Sequence, residues 1–234
     1  MGLSVKYAFL LIFIFGFAVH LIGQQEAELV EIQEYSSNIL GTSPFLVNGW
    51  KYQPEHFNAA GNPHFNDTEW HKGSVTRGKE KFENLVLGYN LQMGAVILKQ
   101  ALKDGQTAYI MLNNDFIDSF TIDQHHFINT GKVLPLAKMT GFAELIYSGD
   151  FLLIITHKKS FVGKYSASTP NGSFSRQQSG IFLLKDDVLN KITSKKSLVS
   201  LFPGHTKKIN AFISKHKIRL KSAGNSQLEQ LMEY

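Results

Sequence analysis

From Lys81 to His157 the chain alternates between short apolar bursts and turn residues. Leu85, Leu87, Tyr89 and Leu91 recur at period two, which predicts a half-buried strand over 81–91. Ala95 to Lys99 is a short apolar run. Asp104-Gly105 then reads as a hairpin turn, with Thr107 to Leu112 returning as a strand. Asn113-Asn114 turns the chain again, Phe116, Asp118, Phe120 and Ile122 alternate, and His126 to Asn129 follows. Phe142 to Tyr147 and Phe151 to His157 predict two strong strands around Ser148-Gly149-Asp150. No long helical pattern separates these segments, and a parallel sheet would need crossover helices. The expected fold is mainly β within an α+β layout: an antiparallel meander, barrel-like in character, over about 71–190, with a C-terminal helical appendage.

The flanks read differently. Glu26 to Tyr35 has the pattern of a short acidic helix with Leu29, Val30 and Ile32 on one side. Turn signals crowd 36–70, so 24–70 is expected to be an irregular segment pinned to the domain by Phe45, Trp50, Tyr52, Phe57 and Phe65. Residues 160–179 read as a Ser/Gly-rich stretch, either a mobile loop or a wide hairpin closed by Ile181 to Leu184, and the pattern turns helical after Asp186-Asp187. Residues 191–234 predict basic helices. Leu198, Val199, Leu201 and Phe202 suit a helix ending before Pro203-Gly204. Thr206 is placed to cap a second, with Ile209, Phe212 and Ile213 on one face. Ser226-Gln227-Leu228-Glu229 reads as a capping box for a third.

The first 23 residues supply an address. Lys6 precedes an apolar run from Tyr7 to Ile22 that is broken by Gly16 and His20, and polar and acidic residues follow Gly23. That is the layout of a secretory signal; a membrane span needs about 20 apolar residues and this run is shorter. The chain is expected to be exported, to the periplasm or the outer membrane, without a transmembrane span after cleavage. Export makes nucleic acid an unsuitable partner. The chain has no cysteine, which excludes disulfides, thiolate metal sites and cysteine nucleophiles.

Gly41-Thr42-Ser43-Pro44-Phe45-Leu46, Phe82 to Asn90, Lys195-Lys196-Ser197-Leu198, Ile213 to Lys217 and Leu231-Met232-Glu233-Tyr234 together carry a resemblance. The chain resembles a family of uncharacterised, cysteine-free exported proteins of Gram-negative envelope bacteria. The resemblance implies a β-rich body with a lysine-rich helical tail, and no activity. The stretch from Gln53 to Trp70 reads as an insertion relative to that pattern.

No catalytic motif is intact. Gly73-Ser74-Val75-Thr76-Arg77-Gly78-Lys79-Glu80 has phosphate-loop spacing but ends in Glu80 where a Ser or Thr must hold Mg²⁺; it is expected to be a Gly-rich β-turn. His56, His64, Asn66, Asp67, Glu69 and His71 are dense in ligand atoms but follow no zinc or calcium pattern. His125 and His126 must point to opposite faces of a strand, one of them inward. Asp115, Asp118, Asp123 and Glu144 are the strand-region carboxylates from which a dispersed hydrolase site would be built. No cofactor, metal or catalytic residue is assigned.

The strongest functional signal is charge asymmetry. Residues 151–221 hold fourteen lysines and arginines against Asp186 and Asp187, whereas 24–150 is acidic. Lys195, Lys196, Lys207, Lys208, Lys215, Lys217, Arg219 and Lys221 are therefore the candidate contact face for an anionic lipid surface or an envelope protein. The expected function is non-enzymatic binding. The alternatives are carriage of a small hydrophobic ligand in a barrel-like cavity and a hydrolase with a dispersed carboxylate site.

Overall fold

A computed structural model of the chain describes residues 49–102, 105–134 and 139–234, the Lys221 side chain excepted. The signal segment, the acidic 26–35 stretch, Phe45 and Asp104 lie outside the described residues.

The described residues form thirteen strands: β1 (Trp50–Lys51), β2 (His71–Arg77), β3 (Glu80–Asn90), β4 (Ala95–Ala101), β5 (Thr107–Met111), β6 (Ser119–Ile122), β7 (His125–Asn129), β8 (Phe142–Ser148), β9 (Leu152–Lys158), β10 (Phe161–Val162), β11 (Ser173–Phe174), β12 (Gln178–Lys185) and β13 (Val188–Ile192). Eleven of them make one antiparallel sheet in the order β1-β5-β4-β3-β2-β6-β7-β8-β9-β12-β13. The sheet stays open, with β1 and β13 at its edges, so the barrel-like expectation is met in strand order but not in closure. β10 and β11 pair separately, a small hairpin inside what reads as a Ser/Gly loop.

Tight turns set the meander. Asp186 and Asp187 both adopt left-handed φ values, 51° and 60°. Two such residues build the hairpin turn whose twist matches the flanking strands, and Asp tolerates that region better than most residues. They therefore return the chain as β13 instead of opening a helix, which corrects the helical reading of 188–192. The phosphate-loop lookalike resolves the same way. Gly73 to Arg77 is strand and only Gly78-Lys79 turns. Gly73 is required for close approach, since a Cβ there would lie 2.0 Å from the Thr121 carbonyl oxygen.

Two bulges bend the sheet. In β2–β3 the register slips between Gly73↔Leu85 and Val75↔Phe82, and Asn84, with φ 57°, takes up the extra residue. In β8–β9 it slips between Leu145↔Ile154 and Tyr147↔Leu153. Ile146 and Tyr147 consequently both join the cluster beneath the C-terminal helices.

Burial follows the period-two pattern. Leu85, Leu87, Tyr89, Val96, Leu98, Phe120, Ile122, Phe127 and Phe65 form one apolar cluster under β2–β7. Ile146, Leu153, Ile155 and Leu183 form a second with Leu198, Ile213, Leu228 and Leu231 of the helices. Ile128, Ala143 and Ile154 form a third with Leu134, next to the short helix α1 (Thr130–Val133). The appendage comprises α2 (Lys195–Val199), α3 (Thr206–Lys215) and α4 (Asn225–Glu233). Ser194 and Ser197 make a reciprocal capping box at α2. Thr206 is not a cap; its hydroxyl donates to the Pro203 carbonyl, and His205 is the N-cap of α3. Nor does Ser226 cap α4: the helix starts at Asn225, and the Gln227 side chain accepts the Gly224 N–H. No helix among the described residues is long and apolar enough to cross a membrane.

Within the N-terminal segment, Tyr52 and Phe65 are buried, whereas Trp50 and Phe57 are 57% and 78% exposed. Of the four described aromatics expected to pin the segment, two are therefore buried in it. Trp50 lies in an edge strand that its Gly-Trp-Lys surroundings do not announce.

Candidate functional site

A polar seam crosses the sheet between the first two apolar clusters. Glu144, on β8, is 1% exposed. It is held by His125 of β7 through Nδ1, by His157 of β9 whose Nε2 lies 2.8 Å from Glu144 Oε2, and by the Asn225 amide at the start of α4. Burial is the largest influence on this carboxyl and pushes its pKa up. The hydrogen bonds from His157 and His125, with their charges, together outweigh burial and leave it below the usual carboxylate value. An ionised carboxylate only accepts hydrogen bonds, so each histidine turns an N–H toward it.

Phe65 closes the seam from above. Its ring meets His125 at 4.9 Å, His157 at 5.0 Å and Phe127 at 5.2 Å, all edge-on. A 3-10 turn, Phe65–Asp67, presents it. Asn66 and Asp67 take left-handed φ there, and the turn is tied at two points. Asp67 Oδ1 is 2.5 Å from Lys159 Nζ, whose side chain is almost fully buried and also donates to the Asn62 carbonyl at 2.9 Å. The Asn66 N–H donates to Gln177 Oε1 at 2.9 Å. The apparent insertion therefore plugs the seam.

The dense 56–71 ligand set is dispersed. His56 stacks on Phe161 at 3.5 Å, Asp67 pairs with Lys159, and His71 Nδ1 sits 2.6 Å from Asp123 Oδ2. No group of three or more His, Asp and Glu among the described residues is arranged to hold a metal ion. His64 is buried with Nδ1 unpartnered. Burial, then the charges of Lys159 and His71, lower its pKa to about 4. Between pH 6.5 and 4 the unfolded chain binds a proton that native His64 does not, so stability falls as pH falls through that window. His64→Leu is expected to flatten this part of the profile, read from urea midpoints at pH 7, 6, 5 and 4.

The other strand-region carboxylates do not converge. Asp118 pairs with Lys132 at 2.7 Å and accepts from the Gly78 N–H, which together lower its pKa. Asp115 lies exposed in a 3-10 turn. His126 points outward, as the opposite-face argument requires of one histidine of the pair.

Lys195, Lys196, Lys207, Lys208, Lys215, Lys217 and Arg219 are all exposed on α2, α3 and the following turn. None makes an ion pair among the described residues. Lys208 lies at a half-open pocket of about 490 Å³ between the helices and the sheet. Tyr147, Phe151, Phe202, Ile209 and Leu231 line it, with Lys185 and His205 also at its wall. Lys185 is committed in part, donating to the Leu201 carbonyl and lying over the Phe202 ring.

No family model, curated protein or solved structure matches this chain.

Proposed function

We propose that this is an exported envelope protein that docks its C-terminal helices onto an anionic membrane surface. The supporting observation is the set of seven exposed cations on α2, α3 and the turn after them, none engaged by a described acidic residue. Each lysine or arginine near an anionic bilayer contributes about 1 kcal/mol, an attraction screened within a Debye length. Co-sedimentation with phosphatidylglycerol-containing vesicles at low salt is expected to capture the protein. Reversing Lys195, Lys208, Lys215 and Lys217 to Glu should weaken partitioning by roughly 100-fold or more. Failure of the wild-type chain to sediment at low salt would remove the proposal.

The half-open pocket supports a second reading, carriage of a small hydrophobic ligand. Its volume falls in the range of about 300–1,000 Å³ typical of ligand sites. The site lies at the sheet–helix corner, not in a barrel, because the sheet does not close. Native mass spectrometry of the purified protein would show a retained lipid mass, and a clean apoprotein spectrum after mild extraction would count against carriage.

A further inference from the structure

We propose that Ser179, His157 and Glu144 form a nucleophile–base–orienter relay that cleaves short-acyl carboxylic esters. This goes beyond the docking reading and would overturn the expectation that the chain is no enzyme.

The three residues lie side by side on β12, β9 and β8, which are adjacent in the sheet. Ser179 is directly opposite His157 in register. Ser179 Oγ is 2.8 Å from His157 Nδ1, and His157 Nε2 is 2.8 Å from Glu144 Oε2. A nucleophile within hydrogen-bond reach of a base, with the base oriented by a third group, is the geometric signature of covalent catalysis. The ionised carboxylate fixes the ring tautomer. Nε2 carries the hydrogen toward Glu144, which leaves the Nδ1 lone pair for the serine hydroxyl. The burial gradient runs the right way. The Glu144 side chain is 2% exposed, that of His157 is 8% exposed, and Ser179 is exposed.

Two features serve the reacting acyl group. Gln177 Nε2 lies 3.2 Å from the same His157 Nδ1, and its carboxamide is held by the Asn66 N–H. That N–H points at the ring nitrogen that also meets Ser179 Oγ, so the carboxamide lies beside the base and has to swing off Nδ1 to donate to the oxyanion that develops on the substrate carbonyl oxygen. β13 pairs with β12 only from Ile181 onward, so Gln178 to Gly180 border no further described strand on that side. Ser179 is therefore open to solvent, and a short acyl group such as an O-acetyl ester makes the smallest demand for a binding pocket there.

The step is balanced. Ser179 Oγ attacks the ester carbonyl carbon and its proton passes to His157 Nδ1. The oxyanion collapses, the bond to the alkoxy group breaks, and His157 returns the proton to the departing alcohol. Water, deprotonated by His157, then attacks the acyl-serine, releasing the carboxylic acid and restoring the hydroxyl.

The test uses the full chain with a fluorophosphonate probe and with p-nitrophenyl acetate. One probe adduct is expected, mapped to Ser179 by peptide mass spectrometry. Ser179→Ala should abolish the adduct and return acetate-ester hydrolysis to the buffer rate. Ser179 is exposed, so this variant keeps the fold, checked by circular dichroism. His157→Gln should slow labelling by about 100-fold or more if the ring acts as base. An unlabelled wild type, an adduct that persists in Ser179→Ala, or equal labelling of folded His157→Gln would each overturn the proposal. None of these results depends on vesicle binding.

Discussion

Replacing Glu144 by alanine is expected to cost about 3–5 kcal/mol of folding stability, measured by urea unfolding at pH 7. The carboxylate accepts from His125, His157 and Asn225 at once, and it is closed off from water. Removing it leaves the His157 donor, on a side chain 8% exposed, without its partner and takes the shared acceptor from the partly exposed His125 and Asn225. A domain holds about 5–15 kcal/mol in total, so this is a large share. Glu144→Gln retains the shape and one acceptor but turns an NH₂ toward groups that already donate. A smaller loss, about 1–3 kcal/mol, is expected. The pH dependence has a definite sign. The native carboxyl titrates below its unfolded value, so its contribution is present above about pH 4.5 and is lost as pH falls through the native pKa. Wild type should therefore lose stability more steeply than Glu144→Gln below pH 4.5. Most of the His64 window, from pH 6.5 down to about 4, lies above that, so the two variants are separated by their behaviour between pH 6.5 and 4.5. Equal stability of wild type and Glu144→Ala at pH 7 would refute the structural role of the seam.

The legible part of the fold was the part governed by period two. Leu85, Leu87 and Tyr89 advertise their burial because β3 has one face inward, and the alternation survives the Asn84 bulge. Phe120 with Ile122, and Phe142 with the apolar run of β9, behave likewise. What escaped has specific causes. β1 and the β10–β11 hairpin are two residues per strand, too short to show any period. β13, Val-Leu-Asn-Lys-Ile, is half exposed, and its strand identity rests on the left-handed pair Asp186-Asp187, an Asp-Asp pair being a weaker hairpin signal than Asp-Gly. The helix caps shifted by one or two residues because several Ser, Thr and Gly residues compete at each boundary.

The seam was legible in pieces only. Glu144 drew attention as a carboxylate inside a strand, and one of His125 and His126 had to face inward. Neither observation joins Glu144 to His157, because that pairing depends on the β8–β9 register. The register is set by a bulge at Ile146 that no local composition reveals. Ser179 carried no signal: it lies in a polar stretch, Gln177-Gln178-Ser179-Gly180, that reads as loop until Ile181 begins the apolar run. Asn225 is farther still, reaching Glu144 across 81 residues of chain. The exposure of the lysines in the tail was legible because charge counts need no register.

Phe65→Ala is the second large effect expected, about 3–5 kcal/mol, or a fall in Tm of roughly 6–20 °C for a chain of this size. Phe65 is 1% exposed. It comes from an otherwise irregular segment, so its insertion holds that segment as well as the core. Truncation leaves a void bordered by His125, His157 and Phe127, a lining with polar edges. Water is expected to enter, bridging the imidazoles and loosening the Asn66–Gln177 and Asp67–Lys159 ties that frame the turn. Trp50→Ala and Phe57→Ala provide the contrast. Both rings lie in the same N-terminal segment but face solvent, and surface substitutions of that kind shift stability by about 0.5 kcal/mol or less. Differential scanning calorimetry of the three variants decides the matter. Should Phe65→Ala melt with Trp50→Ala and Phe57→Ala near the wild type, the 3-10 turn would be a surface loop and the seam would be closed by something other than this ring.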